Sequence, residues 1–465
     1  MMLSPLLAFL LYIILLISIG IFYTKKNQTA SDYILGNRSL SYWVTAISAN
    51  ASDMSVWLFM GLPMAVFQEG LIQVWTAVGL IFFMFMNWHI VAPRLRYATE
   101  KSQSLTLFSF FESRLGQSAH SLRILSAIFS SIFLTIYISA GITGMGYLFE
   151  SIFGLNYILG CSISVLAILT YISLGGFDAI CHTDFFQGIF LLAIILLVPG
   201  LVFLSDIAHA HNTQALLETF NSSWLPLDGK TAFSAFTLAC GWGVGYFGQP
   251  HILNKFMAIK NPHELNKSKW LGTAWQLLAL GGAIASGLAA RYFFASPPHN
   301  VELIFVDMVK SIFNPFFASL VLCAILAATL STIDSQVLVV ASALAEDFYA
   351  ALRTNAPDEK IVLVSRLSAI GTCCVALAIA LCKFSSIFSV VYYCWVGIGS
   401  AFGPLVIASL YFKKLTKNGA LLGVLSGGLV GAFWIMLDTP VSAALPGFVA
   451  GLLVIWLASR ATKNS

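Results

Sequence analysis

Long apolar runs, separated by short polar, basic or Gly/Pro-marked breaks, recur along the whole chain. A run of roughly 20 apolar residues is long enough to cross a bilayer as a helix. On that measure the pattern predicts thirteen spans, at about residues 3–23, 41–67, 72–92, 122–152, 156–174, 183–204, 232–256, 269–292, 310–346, 361–382, 387–412, 419–438 and 442–460. The longest connections, about 205–231 and 293–309, are read as loops.

Two of these segments break the apolar pattern from within. In the second, Ser48-Ala-Asn-Ala-Ser-Asp53-Met-Ser55 sets small and polar residues and a carboxylate near bilayer depth. A charge at the centre of a span costs at least about 2.5 kcal/mol, so it faces a partner or a cavity. Asp53 therefore either marks an ion or solute path or is held by structural hydrogen bonds. In the seventh, Gly241-Trp-Gly-Val-Gly-Tyr-Phe-Gly-Gln-Pro250 holds four glycines and a proline. Glycine weakens a helix by about 1 kcal/mol and proline removes an amide donor. Irregular backbone at membrane depth is tolerated only inside protein or along a cavity. The breaks lie five spans apart, as expected if residues 41–204 and 232–412 form two inverted repeats, with 3–23 before them and 419–460 after.

Composition sharpens this picture. Hydrophobic residues make up 58% and charged residues 9% of the chain, and mean hydropathy is +0.87, which excludes an ordinary soluble domain. The net charge of +4 is distributed as the positive-inside rule requires, rather than as a nucleic-acid patch. With the N-terminus outside and the C-terminus cytoplasmic, all but Lys230, Arg291, Lys310 and Lys383 of the 24 basic residues fall on cytoplasmic flanks. Lys25, Lys26, Lys255 and Lys463 are among those flank residues. No basic region precedes residues 3–23 and Lys25-Lys26 follows, so a first span is expected rather than a cleaved signal peptide. The eight cysteines show no CxxC pair or metal-ligand spacing and read as buried free thiols.

The candidate chemistry is that of binding. Gly243-Val-Gly-Tyr-Phe-Gly248 matches GxGxxG, but no strand or βαβ unit surrounds it, so a dinucleotide site is rejected. Its glycines serve close helix packing, or else Trp242, Tyr246 and Pro250, four residues apart, offer walls to a small solute. In the ninth span Ala328, Ser331, Thr332 and Ser335 share one helical face. Two adjacent hydroxyls with carbonyls freed by a break suit a hard alkali cation, although such residues also join helices by hydrogen bonds. Asp334 adds a second intramembrane carboxylate. Asp184, at the expected start of the sixth span, reads as a solvated helix N-cap or as a partner of Ser331, Asp334 and Ser335 in a second cation site. No nucleophile–base pairing or phosphate loop is present, so an enzyme is not expected.

These features resemble the solute:sodium symporter family. The likeness rests on Asp32-Tyr-Ile-Leu-Gly36, Ala51-Ser-Asp-Met-Ser55, Met60-Gly-Leu-Pro63, Gly245-Tyr-Phe-Gly-Gln-Pro-His-Ile-Leu253, Ser331-Thr332 and Glu346-Asp347. It extends over nearly the whole chain. It implies an all-α integral membrane protein with inverted five-helix repeats, the leucine-transporter-type fold with two broken helices. It also implies sodium-coupled uptake of a small amino acid, proline first, across the bacterial plasma membrane by alternating access. Another small zwitterion or carboxylate, or a non-transporting sensor of the same fold, is the alternative. Carried over by residue, the sodium site takes carbonyls of Ala51, Met54 and Ala328 and hydroxyls of Ser331 and Thr332. Asp53 supports coupling electrostatically, and Ser55, Val56, Tyr137, Trp242, Tyr246 and Pro250 bind solute. Some relatives add a second sodium site from an acid on the sixth span, here Asp184 with Ser331, Asp334 and Ser335. Val56 stands where the proline-carrying relative it most resembles has glycine, and is expected to narrow the pocket or change its substrate. The resemblance calls for sodium as coupling ion and no organic cofactor. Its partners are the small solute and membrane lipid; nucleic acid is not expected, and no oligomer is required.

Overall fold

The computed structural model describes residues 3–23, 29–116, 119–174, 176–204, 213–221, 224–294, 296–353, 356–437 and 439–461. Lys25, Lys26 and Lys463, counted above on the basic flanks, lie outside them. The described residues form helices, and their only extended pairing is a single bridge between Leu40 and Ile259.

In chain order, α1 (Leu3–Tyr23) leads to the short α2 (Ala30–Leu35). The second span is divided into α3 (Tyr42–Met54) and α4 (Gly61–Glu69). α5 (Val74–Met86) runs through a π turn into α6 (Ala92–Lys101), followed by α7 (Leu107–Leu115). Next come α8 (His120–Phe153), α9 (Tyr157–Leu174), α10 (Phe177–Leu204) and the short α11 (Thr213–Asn221). The seventh span is divided into α12 (Gly229–Gly243) and α13 (Pro250–Ala258). α14 (Leu265–Phe293), α15 (Ile304–Ile312) and α16 (Pro315–Ser342) follow, then α17 (Asp358–Leu381), α18 (Ile387–Tyr411), α19 (Lys417–Trp434) and α20 (Ala444–Ala461).

Nine helical stretches among the described residues are long and apolar enough to cross a membrane. The two shorter apolar helices, Pro5–Gly20 and Tyr157–Thr170, and the two divided segments supply the remaining expected spans. Burial separates inner from outer helices. The apolar windows of the stretches containing α16 and α18 are 83% and 78% buried, against 33% for α17 and α20. α16 and α18 are therefore the inner walls, and outer helices such as α1 present Leu7, Ile14 and Leu15 to the surroundings.

Four expectations need correction. The ninth span does not run from 310: Asn314 caps Phe317 N–H at 3.1 Å and Pro315 opens α16, leaving α15 as a separate helix. The sixth span begins at Phe177 rather than 183, so Asp184 lies two turns inside α10 and caps nothing. Both loops contain helix, α11 in the first and α15 in the second. The cysteines are free, but Cys374 and Cys382 are exposed on α17 and just past its end, and Cys240 is only partly covered.

The broken helices are fixed against each other at one end. Leu40 N–H donates to Ala258 O at 3.2 Å, and Lys260 N–H donates to Leu40 O at 2.8 Å. The start of α3 thus meets the end of α13. Arg38 clamps this junction, donating to Met257 O at 2.6 Å, Thr99 O at 3.0 Å and Ser104 O at 2.9 Å. Burial and the neighbouring Arg96 lower the pKa of the Arg38 guanidinium to about 10.

Candidate functional site

The first break is built on Ser55. α3 stops at Met54, and Ser55 adopts φ 48° and ψ −170°, a region otherwise used almost only by glycine. Such a conformation costs about 1–3 kcal/mol and persists only where its surroundings hold it. Here Ser55 N–H donates to Thr332 Oγ1 at 3.0 Å, and Ser55 Oγ accepts from Trp57 N–H at 3.2 Å. The last carbonyls of α3 are released from helical pairing as a result.

Those carbonyls meet α16. Ser331 Oγ donates to Ala51 O at 3.0 Å and lies 3.1 Å from Ala328 O, while Thr332 Oγ1 donates to Ala328 O at 3.0 Å. Two carbonyls and two hydroxyls, all fully buried, are therefore gathered between the two helices. Oxygen atoms alone, without nitrogen or sulfur, form the donor set that a hard monovalent cation prefers. Each hydroxyl can turn its hydrogen away and offer a lone pair. Met54, the fifth residue expected here, is buried at the end of α3 and lines the adjoining cavity.

That cavity is small, about 10 Å³, room for one water-sized sphere. Asp53, Met54, Tyr137 and Trp242 line it, joined by Trp57 and Trp395, which sequence reasoning missed. Trp242 sits 5.0 Å from both Trp57 and Tyr392, ring centre to ring centre, and 5.4 Å from Phe388. Trp57 follows the break by two residues, and its position was the available signal. Trp395 had no local signal; its indole N–H donates to Trp242 O at 2.7 Å, a carbonyl released where α12 ends.

The remaining residues expected to bind solute lie around the cavity, not in its wall. Ser55 stands at the break itself, its N–H held by Thr332 and its Oγ by Trp57 N–H. Pro250 is the first residue of α13. Val56 turns away: its Cγ2 fills the space over Gly144 of α8, where an added Cβ would come within 2.5 Å. The expectation that Val56 narrows the pocket is corrected by this packing.

At the second break the chain winds as a 3-10 turn over Val244–Gly248, so Trp242, Tyr246 and Pro250 do not stack on one side. The glycines answer to packing. Gly245 and Gly248 lie against Gly399 and Gly403 of α18, so closely that a Cβ on Gly248 would sit 2.5 Å from the Gly403 amide nitrogen. Tyr246 reaches across instead. Its hydroxyl donates to Asp53 Oδ2 and accepts from Gln276 Nε2 at 2.8 Å. Asn87 Nδ2 in turn donates to Tyr246 O at 2.9 Å. Asp53 thus joins the two breaks.

Below the oxygen cluster lies a second polar group. Lys255 of α13, 1% exposed, extends its Nζ to Asp184 Oδ2 at 3.0 Å, Ser335 Oγ at 3.1 Å and Cys181 Sγ at 3.2 Å. Ser48 Oγ donates to the same Asp184 oxygen at 2.8 Å, and Ser335 Oγ lies 3.3 Å from it. Asp334 stays to one side, its Oδ1 accepting from Ser335 N–H at 2.6 Å. Two expectations change. Lys255, expected among the basic flank residues, is buried and paired three residues before the end of α13. Of the four residues expected for a second sodium site, Asp184 and Ser335 converge on an ammonium, whereas Ser331 belongs to the oxygen cluster above.

A family model described as the sodium:solute symporter family matches residues 33–427. The high-affinity proline transporter PutP of Bacillus subtilis is 38% identical, covering 96% of this chain and 95% of its own. The sodium/proline symporter 2 of Staphylococcus saprophyticus is 37% identical over 98% of this chain and 92% of its own. Among solved structures, the substrate-bound outward-open state of a Na+-coupled sialic acid symporter has a TM-score of 0.81 at 16% identity, covering 98% of both chains. A nucleobase-cation-symport-1 family transporter in a closed conformation gives 0.58 at 13% identity, over 95% of this chain and 96% of its own.

Proposed function

This chain belongs to the sodium:solute symporter family, and from that premise we propose that it couples inward sodium flow to the uptake of L-proline. It is a transporter and not an enzyme, with sodium as its coupling ion and no organic cofactor. The observation that carries the reading is the meeting of Ala51 O, Ala328 O, Ser331 Oγ and Thr332 Oγ1 at the point where α3 breaks.

In this reading those atoms and the Met54 carbonyl hold one sodium ion. The ion draws the oxygens of α3 and α16 together, and Ser55, tied to Thr332, is drawn with them. Sodium binding thereby shapes the ground beside it where proline binds, between Tyr137 and the Trp57–Trp242 pair. Ion and solute each favour the closed arrangement, which is what couples their movement. Rocking of one helix bundle against the other then exposes the site to the opposite side. The two bundles derive from repeats at about 41–204 and 232–412. The packing of Val56 on Gly144, away from the cavity, supports proline over a smaller solute.

The basic residues argue for an N-terminus outside and a C-terminus in the cytoplasm of a bacterial plasma membrane, with the exposed leucines of the outer helices against lipid. The test is uptake into proteoliposomes. Labelled proline accumulates under an inward sodium gradient and fails to accumulate under a proton gradient alone. Accumulation of a different solute with no sodium-stimulated proline uptake would overturn the substrate assignment.

A further inference from the structure

α3 and α16 face each other in two polar rungs one helical turn apart. The upper rung pairs Ala51 with Ser331 and the lower pairs Ser48 with Ser335 through Asp184. The upper rung holds only neutral oxygens. The lower one contains a carboxylate and already contains a cation, the ammonium of Lys255.

An ammonium carries three N–H donors and a single positive charge. All three donors of Lys255 have acceptors: Asp184 Oδ2, Ser335 Oγ and Cys181 Sγ, at 3.0–3.2 Å. Two of these are the carboxylate and hydroxyl oxygens that a second alkali cation would take. A charge so deeply buried is stable only when paired and hydrogen-bonded, and the ammonium meets both conditions, although Asp184 Oδ1 has no hydrogen-bond partner among the described residues. Lys255 stands on α13, so the same contact also ties the second half of the broken seventh span to α3, α10 and α16.

We propose that Lys255 is a resident cation occupying the lower rung, so that the chain binds one sodium ion, in the upper rung, where a chain without this lysine would bind two. The proposal rests on the upper rung being the sodium site described above. It deepens that reading by fixing the number of ions, and it makes residue 255 the one that sets this number.

The experiment counts radioactive sodium bound at saturation to the purified full-length chain, with no solute added. Wild type binds one ion per chain. Lys255→Met, which frees Asp184 and Ser335, binds two. Two ions on wild type, or one on a folded Lys255→Met, would overturn the proposal. Should Lys255→Met not fold, the double variant Lys255→Met/Asp184→Asn removes both buried charges together. It is expected to bind one ion with half-saturation within about threefold of wild type, and loss of sodium binding in it would equally overturn the proposal. Because the count needs no proline, a failure of proline uptake leaves it standing and a wrong count leaves the uptake assignment standing.

Discussion

The Tyr246 hydroxyl donates to Asp53 Oδ2, so a side chain from the second break holds the carboxylate at the first. Both residues are buried, and Gln276 donates to the same hydroxyl at 2.8 Å. The two irregular segments are therefore one unit, and neither can shift without altering the surroundings of a buried acid.

Tyr246→Phe removes that donor and leaves Asp53 under-satisfied, a penalty of about 1–3 kcal/mol for a buried polar group. Proline uptake is expected to fall roughly tenfold to a hundredfold, with the protein still folded. Asp53→Asn should produce a loss of its own, and the double variant should lose much less than the product of the two. Strict additivity in this cycle, measured by initial uptake rates, would show that the pair does not act as a unit.

Ser331→Ala and Thr332→Ala each delete an oxygen from the cluster with Ala51 and Ala328. The sodium concentration for half-maximal uptake should rise about tenfold for each, on the order of 1.4 kcal/mol. Thr332→Ala should be the worse of the two, because it also removes the acceptor for Ser55 N–H. Thr332→Ser keeps the oxygen and should stay near wild type. An unchanged sodium dependence in both alanine variants would dissociate this cluster from the ion.

Much of this was legible along the chain because membrane burial makes exceptions conspicuous. The spans, the two breaks and the Ser331–Thr332 pair each stood out as polar or small residues inside apolar runs. What escaped were relationships across helices. Lys255 looked like a flank residue because the charge pattern assigns 20 of the 24 basic residues to flanks; its partners Asp184 and Ser335 come from distant segments. Val56 looked like a pocket residue from its neighbour Ser55, but a residue in a 3-10 turn points where the turn sends it, here onto Gly144. Asn314-Pro315 was a helix-start signal that the hydropathy of the run concealed.

Glu302 gives a pH dependence outside the spans. Burial holds its carboxyl above the usual range, opposed by the Ile387 N–H that donates to it at 2.8 Å. A raised carboxyl pKa means that the folded state binds the proton more tightly than the unfolded chain. Its contribution to stability is complete below the ordinary glutamate value, near about 4.3, and is lost as pH rises through the folded-state value. Glu302→Gln keeps an acceptor for Ile387 and carries no charge. It should therefore raise Tm at pH 7.5 and leave it unchanged near pH 4. Equal shifts at both pH values in melting curves would rule out ionisation of Glu302 as the cause.

Val56 and Gly144 offer the sharpest separation of packing from selectivity. Val56 is fully buried and its methyl occupies the space that a side chain at 144 would take, so the two positions share one volume. Val56→Gly should open a void next to α8 and lower stability by roughly 2–4 kcal/mol, with the ranking of competing solutes unchanged. Gly144→Ala should overpack the same site at a cost of about 1–3 kcal/mol. The double variant Val56→Gly/Gly144→Ala refills the volume from the other side and should be more stable than the sum of the single losses allows. Thermal unfolding of the purified proteins reads the first effect, and uptake competition with a panel of amino acids reads the second. A Val56→Gly protein of unchanged stability that prefers a different solute would place Val56 in the binding pocket after all.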